Sequence, residues 1–143
     1  MFSQSVRSVM ERKKLVTAPP ATTVRKAADL MARRKVGAVM VVERKQLIGI
    51  FTERDALFRV MAKGRDPETT LLADVMSKAP TTIHPDKSFG YALLVMHNNG
   101  FRHLPVVENG KAIGIVSARS ALDPELEEFA SETSRRKHFD KMG

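Results

Sequence analysis

Ile48-Gly49-Ile50-Phe51-Thr52-Glu53-Arg54-Asp55 is the stretch on which the reading of this chain turns. Its apolar half reads as the end of a strand. The hydroxyl, guanidinium and carboxylate that follow stand where a helix would begin. Later in the chain, Ile113-Gly114-Ile115-Val116-Ser117-Ala118-Arg119-Ser120 repeats the strand, the glycine, the hydroxyl and the arginine, with serine where the first copy has Asp55. Superposing residues 20–57 on 85–122 gives 12 identities in 38 positions, against about two or three for unrelated sequences of ordinary composition. The chain is therefore an internal duplication. Two copies are too few, and each is too long, for a solenoid.

Working outward, Thr22 or Thr23 can cap a helix whose apolar positions Val24, Ala27, Ala28, Met31 and Ala32 recur at helical spacing. Arg33, Arg34 and Lys35 suit its C-terminus. Residues 37–43 are apolar nearly throughout and read as a strand buried on both faces. Arg44-Lys45-Gln46 turns this strand into another over 47–52, and a helix is predicted over 53–62, ending before Gly64. Upstream, a helix is predicted over 3–11 and a strand over 15–17, stopped by Pro19-Pro20. Beyond a linker at 66–70 the order recurs, with a short helix at 71–76, a strand at 81–83 and a helix at 88–98. Strands at 102–108 and 112–117 follow, joined by the hairpin signal Asn109-Gly110.

The predicted fold class is α+β, with two pseudo-twofold-related units of order β-α-β-β-α over residues 5–65 and 66–123. A three-stranded sheet covered by helices on one face needs a partner for the other, so the two sheets should face each other across a cleft. Residues 124–143 are predicted as a C-terminal helical tail, opened by Asp123-Pro124-Glu125.

Composition excludes several classes of function. At 143 residues, with 43% hydrophobic and 28% charged residues, the chain is an ordinary globular size and mixture. It has no cysteine, so disulfides, thiolate chemistry and cysteine-ligated metal are out. No run approaches the roughly 18 apolar residues of a membrane span, and a cytoplasmic location is expected. The basic and serine residues of 1–15 resemble a targeting peptide only faintly, since Val6, Val9 and Met10 form a face that would pack on a domain. Residues 1–65 hold 15 Lys and Arg against 5 Asp and Glu, a net of +10; the remainder holds 9 against 11, a net of −2. Such a field favours anionic partners. His84, His97, His103 and His138 show no metal-ligand spacing, and no serine has an evident base beside it, so neither a metal site nor an enzyme is expected.

At the first junction Thr52 can cap the helix or bond a phosphate or sugar oxygen, and Arg54 adds a guanidinium fork. Asp55 can accept from both hydroxyls of a vicinal diol, and Gly49 would let a ligand approach the backbone. A plainly capped helix is the competing explanation. The repeat of hydroxyl and arginine at one offset favours a ligand. Hydroxyl, cation and carboxylate around a cleft suit a nucleoside phosphate better than a metal or a catalytic pair.

The repeated pattern of an apolar residue, glycine, two apolar residues, Thr or Ser, two variable residues and Asp resembles the CBS domain, which occurs in tandem as the Bateman module. The resemblance covers residues 5–123 of what looks like a free-standing pair. It implies a disc-like homodimer that binds adenosine nucleotides in its clefts. Carried over, Asp55 would hold the ribose, Thr52 and Arg54 would face the phosphate, and Thr17 with Val36, Gly37 and Ala38 would lie by the base. Ser117 and Arg119 match in the second copy. Ser120 replaces the family's Asp, so that site should be weaker, empty or used differently. Arg102 and His103 correspond to Gly37 and Ala38 and could reach across to the phosphates of the first site.

The expected function is thus a non-catalytic adenine-nucleotide sensor needing no cofactor, with AMP the first candidate ligand and ATP, ADP or NAD behind it. Its output would pass through an unidentified effector protein or its own oligomer. The alternative is a nucleic-acid-binding module built on the basic first half. Against that stand 6% aromatic residues and no Trp, which leave no stacking platform.

Overall fold

Thr23 and Ser88 open two helices with the same bond: Thr23 Oγ1 accepts from the Lys26 N–H at 3.2 Å and Ser88 Oγ from the Tyr91 N–H at 3.1 Å. The helices are α2 (Val24–Arg34) and α5 (Phe89–Asn99), and each ends on a left-handed residue, Lys35 (φ 55°) and Gly100 (φ 68°). They are corresponding elements of two similar units in the computed structural model, which describes residues 2–120 and residue 132. The tail predicted over 124–143 lies outside the described residues, apart from Glu132 in helical conformation.

In chain order the remaining elements are α1 (Val6–Val9), β1 (Thr17–Ala18), β2 (Ala38–Glu43), β3 (Gln46–Thr52) and α3 (Glu53–Asp55). The last runs directly into a π-helical stretch, Ala56–Met61. The second unit contributes α4 (Leu72–Val75), β4 (Ser77–Lys78), β5 (His103–Glu108) and β6 (Lys111–Ser117). Two antiparallel hairpins, β2–β3 and β5–β6, form the centres of the units, and each shifts register at the same place, Val41/Val42 and Val106/Val107. Their turns have positive φ at both central residues, Arg44-Lys45 and Asn109-Gly110, the geometry that matches the twist of the flanking strands.

The sheets depart from the predicted three strands each. The first has four, in the order β1-β2-β3-β4, with β1 parallel to β2; the second has two, β5-β6. The strand expected at 81–83 is reduced to one parallel bridge, Ile83 to Val106. Instead Ser77–Lys78 pairs with Gly49 and Ile50 of the first unit, until Pro80, which has no N–H to donate, follows. At the matching place Glu11 bridges Ile115 of the second unit.

The units therefore exchange segments. Val6 of α1 is fully buried with Ile83, Phe89, Leu104 and Val116 of the second unit, while Leu72 and Val75 of α4 pack with Val24, Met31 and Phe51 of the first. On β2 successive residues alternate faces. Val39 and Val41 point to the first unit's core, and Ala38 and Met40 join Ile50 and Ile115 between the sheets. That third cluster holds the two hairpins face to face. Gly49 and Gly114 make room for methionines of the two cores: a Cβ on Gly49 would strike the Met76 thioether, and one on Gly114 would meet Met10 Sδ at 2.9 Å.

Candidate functional site

Thr52 and Asp55 form a reciprocal cap at the start of α3. The Thr52 Oγ1 accepts from the Asp55 N–H at 3.2 Å, and Asp55 Oδ2 accepts from the Thr52 N–H at 2.9 Å and from its hydroxyl at 3.2 Å. The lock fixes the carboxylate, only 7% exposed, in the wall of a cavity of about 240 Å³. Asp55 Oδ1 faces Arg59 Nε at 3.5 Å, and Arg59 Nη1 donates to the carbonyls of Val75 and Met76 at 3.2 and 3.1 Å. The opposite wall is the α5–β5 turn of the other unit, Gly100 to His103. Arg54 joins the two walls, donating from Nη1 to the Gly100 carbonyl at 3.3 Å.

A second cavity, of about 390 Å³, is assembled from the counterparts of the first. Ser117 and Arg119 of the second junction face Lys35, Val36, Gly37 and Ala38 of the first unit's α2–β2 turn. Here Ser120 takes over the capping role. Its Oγ accepts from the Ser117 N–H at 2.8 Å and lies 3.3 Å from Ser117 Oγ.

Each cavity thus combines the junction of one unit with the turn of the other, which redistributes the residues singled out in the sequence. Thr52, Arg54, Asp55, Arg102 and His103 come together in the first cavity. Val36, Gly37 and Ala38 line the second cavity with Ser117 and Arg119, although the same turn is bonded to the first junction, where the Gly37 carbonyl accepts from the Glu53 N–H at 3.0 Å and Ala38 pairs with Thr52. Thr17 is exposed on the edge strand β1 and lines neither, and Ser120 is buried in its cap and lines neither.

Glu53, Arg102 and His103 line both cavities and form the partition between them. A Cβ added to Gly37 would sit 3.1 Å from both Glu53 Oε1 and His103 Nε2, so the turn passes hard against this partition. Burial pushes the His103 imidazole below its usual pKa, and Arg102 adds to the effect while Glu53 opposes it. His103 is therefore neutral at pH 7. Lys35, Glu53 and Arg59 were not singled out in the sequence as ligand contacts. The repeat offset carries a signal for the first of these, since Lys35 superposes on Gly100.

Away from the cleft, His84, Asp86 and Glu108 bring ligand-type atoms within 4.8 Å of one another. The Arg7 guanidinium occupies the cation's place there, at 3.4 Å from Asp86 and 2.9 Å from Glu108.

Residues 6–62 and 72–124 each match the family model of the CBS domain. The chain belongs to the CBS-domain family. It is a tandem CBS pair, a regulatory ligand-binding module with the α+β fold that the sequence predicted. It is 36% identical over 113 residues to the CBS domain-containing protein YhcV of Bacillus subtilis, covering 79% of each chain. By contrast it spans only 20% of the length of Arabidopsis thaliana relatives such as the CBS domain-containing protein CBSCBSPB3. Its fold matches an uncharacterised conserved protein of Pyrococcus horikoshii with a TM-score of 0.81 at 25% identity, covering 87% of this chain and 94% of that one. It also matches the CBS domain pair of protein MJ0100, solved in complex with 5′-methylthioadenosine and S-adenosyl-L-methionine. There the TM-score is 0.75 at 19% identity, with coverage of 82% and 96%. No helix among the described residues is long and apolar enough to cross a membrane.

Proposed function

We propose that this CBS pair is a non-catalytic sensor of an adenine nucleotide of the AMP type, bound in the first cavity. The observation that carries the reading is the Asp55 carboxylate, held rigid by its cap in the wall of a cavity that also presents Arg54 and Arg102. A carboxylate has about four acceptor positions. The Thr52 N–H, its hydroxyl and Arg59 take three of these and leave one for a ribose hydroxyl, with a second freed when the Thr52 hydroxyl turns to a phosphate, for which Arg54 and Arg102 supply further donors. The volume of about 240 Å³ lies just below the roughly 300 Å³ at which small-ligand pockets begin, which suits a mononucleotide better than a dinucleotide such as NAD. The adenosine-type ligands of the MJ0100 pair support the same class.

Calorimetric titration with AMP tests this. Asp55→Ala should weaken binding about tenfold or more, the loss of hydrogen bonds to a charged acceptor. Asp55→Asn, which keeps an oxygen for the Thr52 N–H, separates that loss from mere fraying of the cap. Equal affinity in wild type and Asp55→Ala, or no binding by wild type, would sink the reading.

The working form is a homodimer, in keeping with the exposed apolar side chains Leu57, Phe58 and Met61 on the π-helical stretch and Tyr91 and Leu94 on α5. Nothing favours the nucleic-acid alternative. Arg7, Arg25 and Arg59 of the basic half are each paired with carboxylates.

A further inference from the structure

Residues 1–65 carry the positive surplus of the chain, and the fold gathers part of it on one face. Glu11 is bonded twice to Ile115 of β6: its N–H donates to the Ile115 carbonyl at 2.8 Å, and its carbonyl accepts from the Ile115 N–H at 3.1 Å. The exposed run Arg12-Lys13-Lys14 therefore passes beside the end of β6. A second exposed run, Arg33-Arg34-Lys35, closes α2. Lys14 and Lys35 share the lining of the second cavity with Ala118 and Arg119, so the two runs meet where β6 ends. Two acids belong to the same surface: Glu11, 3.5 Å from Lys14, and Glu53, set against the Gly37 turn and His103. Against these two carboxylates stand the six cations of the runs, together with Arg102 and Arg119. Arg12, Lys13, Arg33, Arg34 and Lys35 have no ion-pair partner among the described residues. Like charges held on one face repel, and the face favours an anionic cover.

The chain carries such a cover a few residues further on. Residues 123–132 hold Asp123, Glu125, Glu127, Glu128 and Glu132 with no Lys or Arg among them, and positive charge resumes only at Arg135. Ser120 is fixed by its cap beside Ser117. The three steps from Ser120 to Asp123 span at most about 11 Å, so the acids begin within reach of the surface that Arg119 lines. At helical spacing Glu125, Glu128 and Glu132 would share one face. Glu132 is itself helical and exposed.

We infer that the acidic segment 123–132 docks on the basic face of its own chain, with its carboxylates set against the runs Arg12-Lys13-Lys14 and Arg33-Arg34-Lys35. The segment serves there as an internal counter-ion for the basic half. A single exposed ion pair contributes little. The tether makes the encounter intramolecular, so that several weak pairs act together. Salt releases the segment, because the reach of an exposed charge falls from about 8 Å at 0.15 M to about 3 Å at 1 M. Nucleotide plays no part in this contact, and the test contains none.

Because the chain has no cysteine, Ser131→Cys gives the full chain a single attachment point for a nitroxide spin label. At about 0.05 M salt the amide resonances of residues 12–14 and 33–35 should broaden about twofold or more relative to the reduced label, and they should recover at about 1 M salt. Replacing the acids together, Glu125→Gln, Glu128→Gln and Glu132→Gln, should abolish the broadening. Arg33→Gln with Arg34→Gln should at least halve it, and both side chains are exposed, so this variant should melt close to wild type. Absence of selective broadening over the two runs overturns the inference. Broadening that survives both 1 M salt and the triple substitution also overturns it, since the contact would then be apolar. A mixture of spin-labelled chain with isotope-labelled, unmodified chain separates the two possible owners of the segment. An undisturbed spectrum in the mixture supports docking within one chain, and broadening as strong as in the labelled chain itself would assign the segment to a second copy and refute it.

Discussion

His103 gains its sensitivity to pH from where the fold puts it. Burial holds its pKa below the ordinary value of 6.5, with Arg102 acting in the same direction and Glu53 against it. The unfolded chain then binds a proton that the folded chain refuses, so stability is fully present above pH 6.5 and declines as pH falls from there through the depressed folded pKa. The thermal midpoint of wild type should drop between about pH 7 and 5 by more than that of His103→Gln. Parallel midpoints for the two proteins across that range would show that the imidazole carries no such linkage. At the same scale the two junctions show how one substitution divides related sites. Asp55 and Ser120 both complete a cap with the residue three before them, and only Asp55 is left with a charge to offer the cavity.

Among the elements, the helices and hairpins were legible because each is specified locally. Thr23 and Ser88 cap, Met31 and Met96 recur in register on the buried faces, and Asn109-Gly110 makes its turn from its own dihedral preferences. Strand β4 was not legible. Ser77 and Lys78 have little strand propensity, and they are extended because β3 offers them partners, which is tertiary information. The π-helical stretch likewise shows in the sequence only as a helix. It carries Leu57, Phe58 and Met61, which are 50%, 55% and 74% exposed, an apolar face that a second copy would cover. Phe58→Glu should therefore shift the sedimenting species toward monomer without lowering the melting temperature. If wild type sediments as a monomer throughout the micromolar range, the homodimer proposal fails.

At the scale of the whole molecule the decisive feature is the exchange of α1 and α4 between units. A residue near the N-terminus, Val6, completes the core built by Phe89, Leu104 and Val116, so neither unit owns all of its packing and the two should unfold together. Val6→Ala removes two buried methyl groups and should cost about 2 kcal/mol. It should also lower a single cooperative transition seen alike by circular dichroism and tyrosine fluorescence. Two separate transitions would mean that the units are energetically independent. The same exchange brings the parts of each cavity together, for β4 lies beside β3 through it and Ser77 and Thr81 line the first cavity.

What the sequence determined by itself was the duplication, the α+β order of elements and the two junctions with their unequal third residues. Repeat identity, capping and hydrophobic period are written in neighbouring or equally offset residues, and need no knowledge of distant contacts. Only the tertiary structure decided which residues share a cavity: Val36, Gly37 and Ala38 line one with Ser117, and Arg102 and His103 line the one that holds Asp55. The reason is that the two hairpins pack against each other through Ala38, Met40, Ile50 and Ile115, so each cleft is closed by residues far away along the chain, and no local preference encodes that pairing.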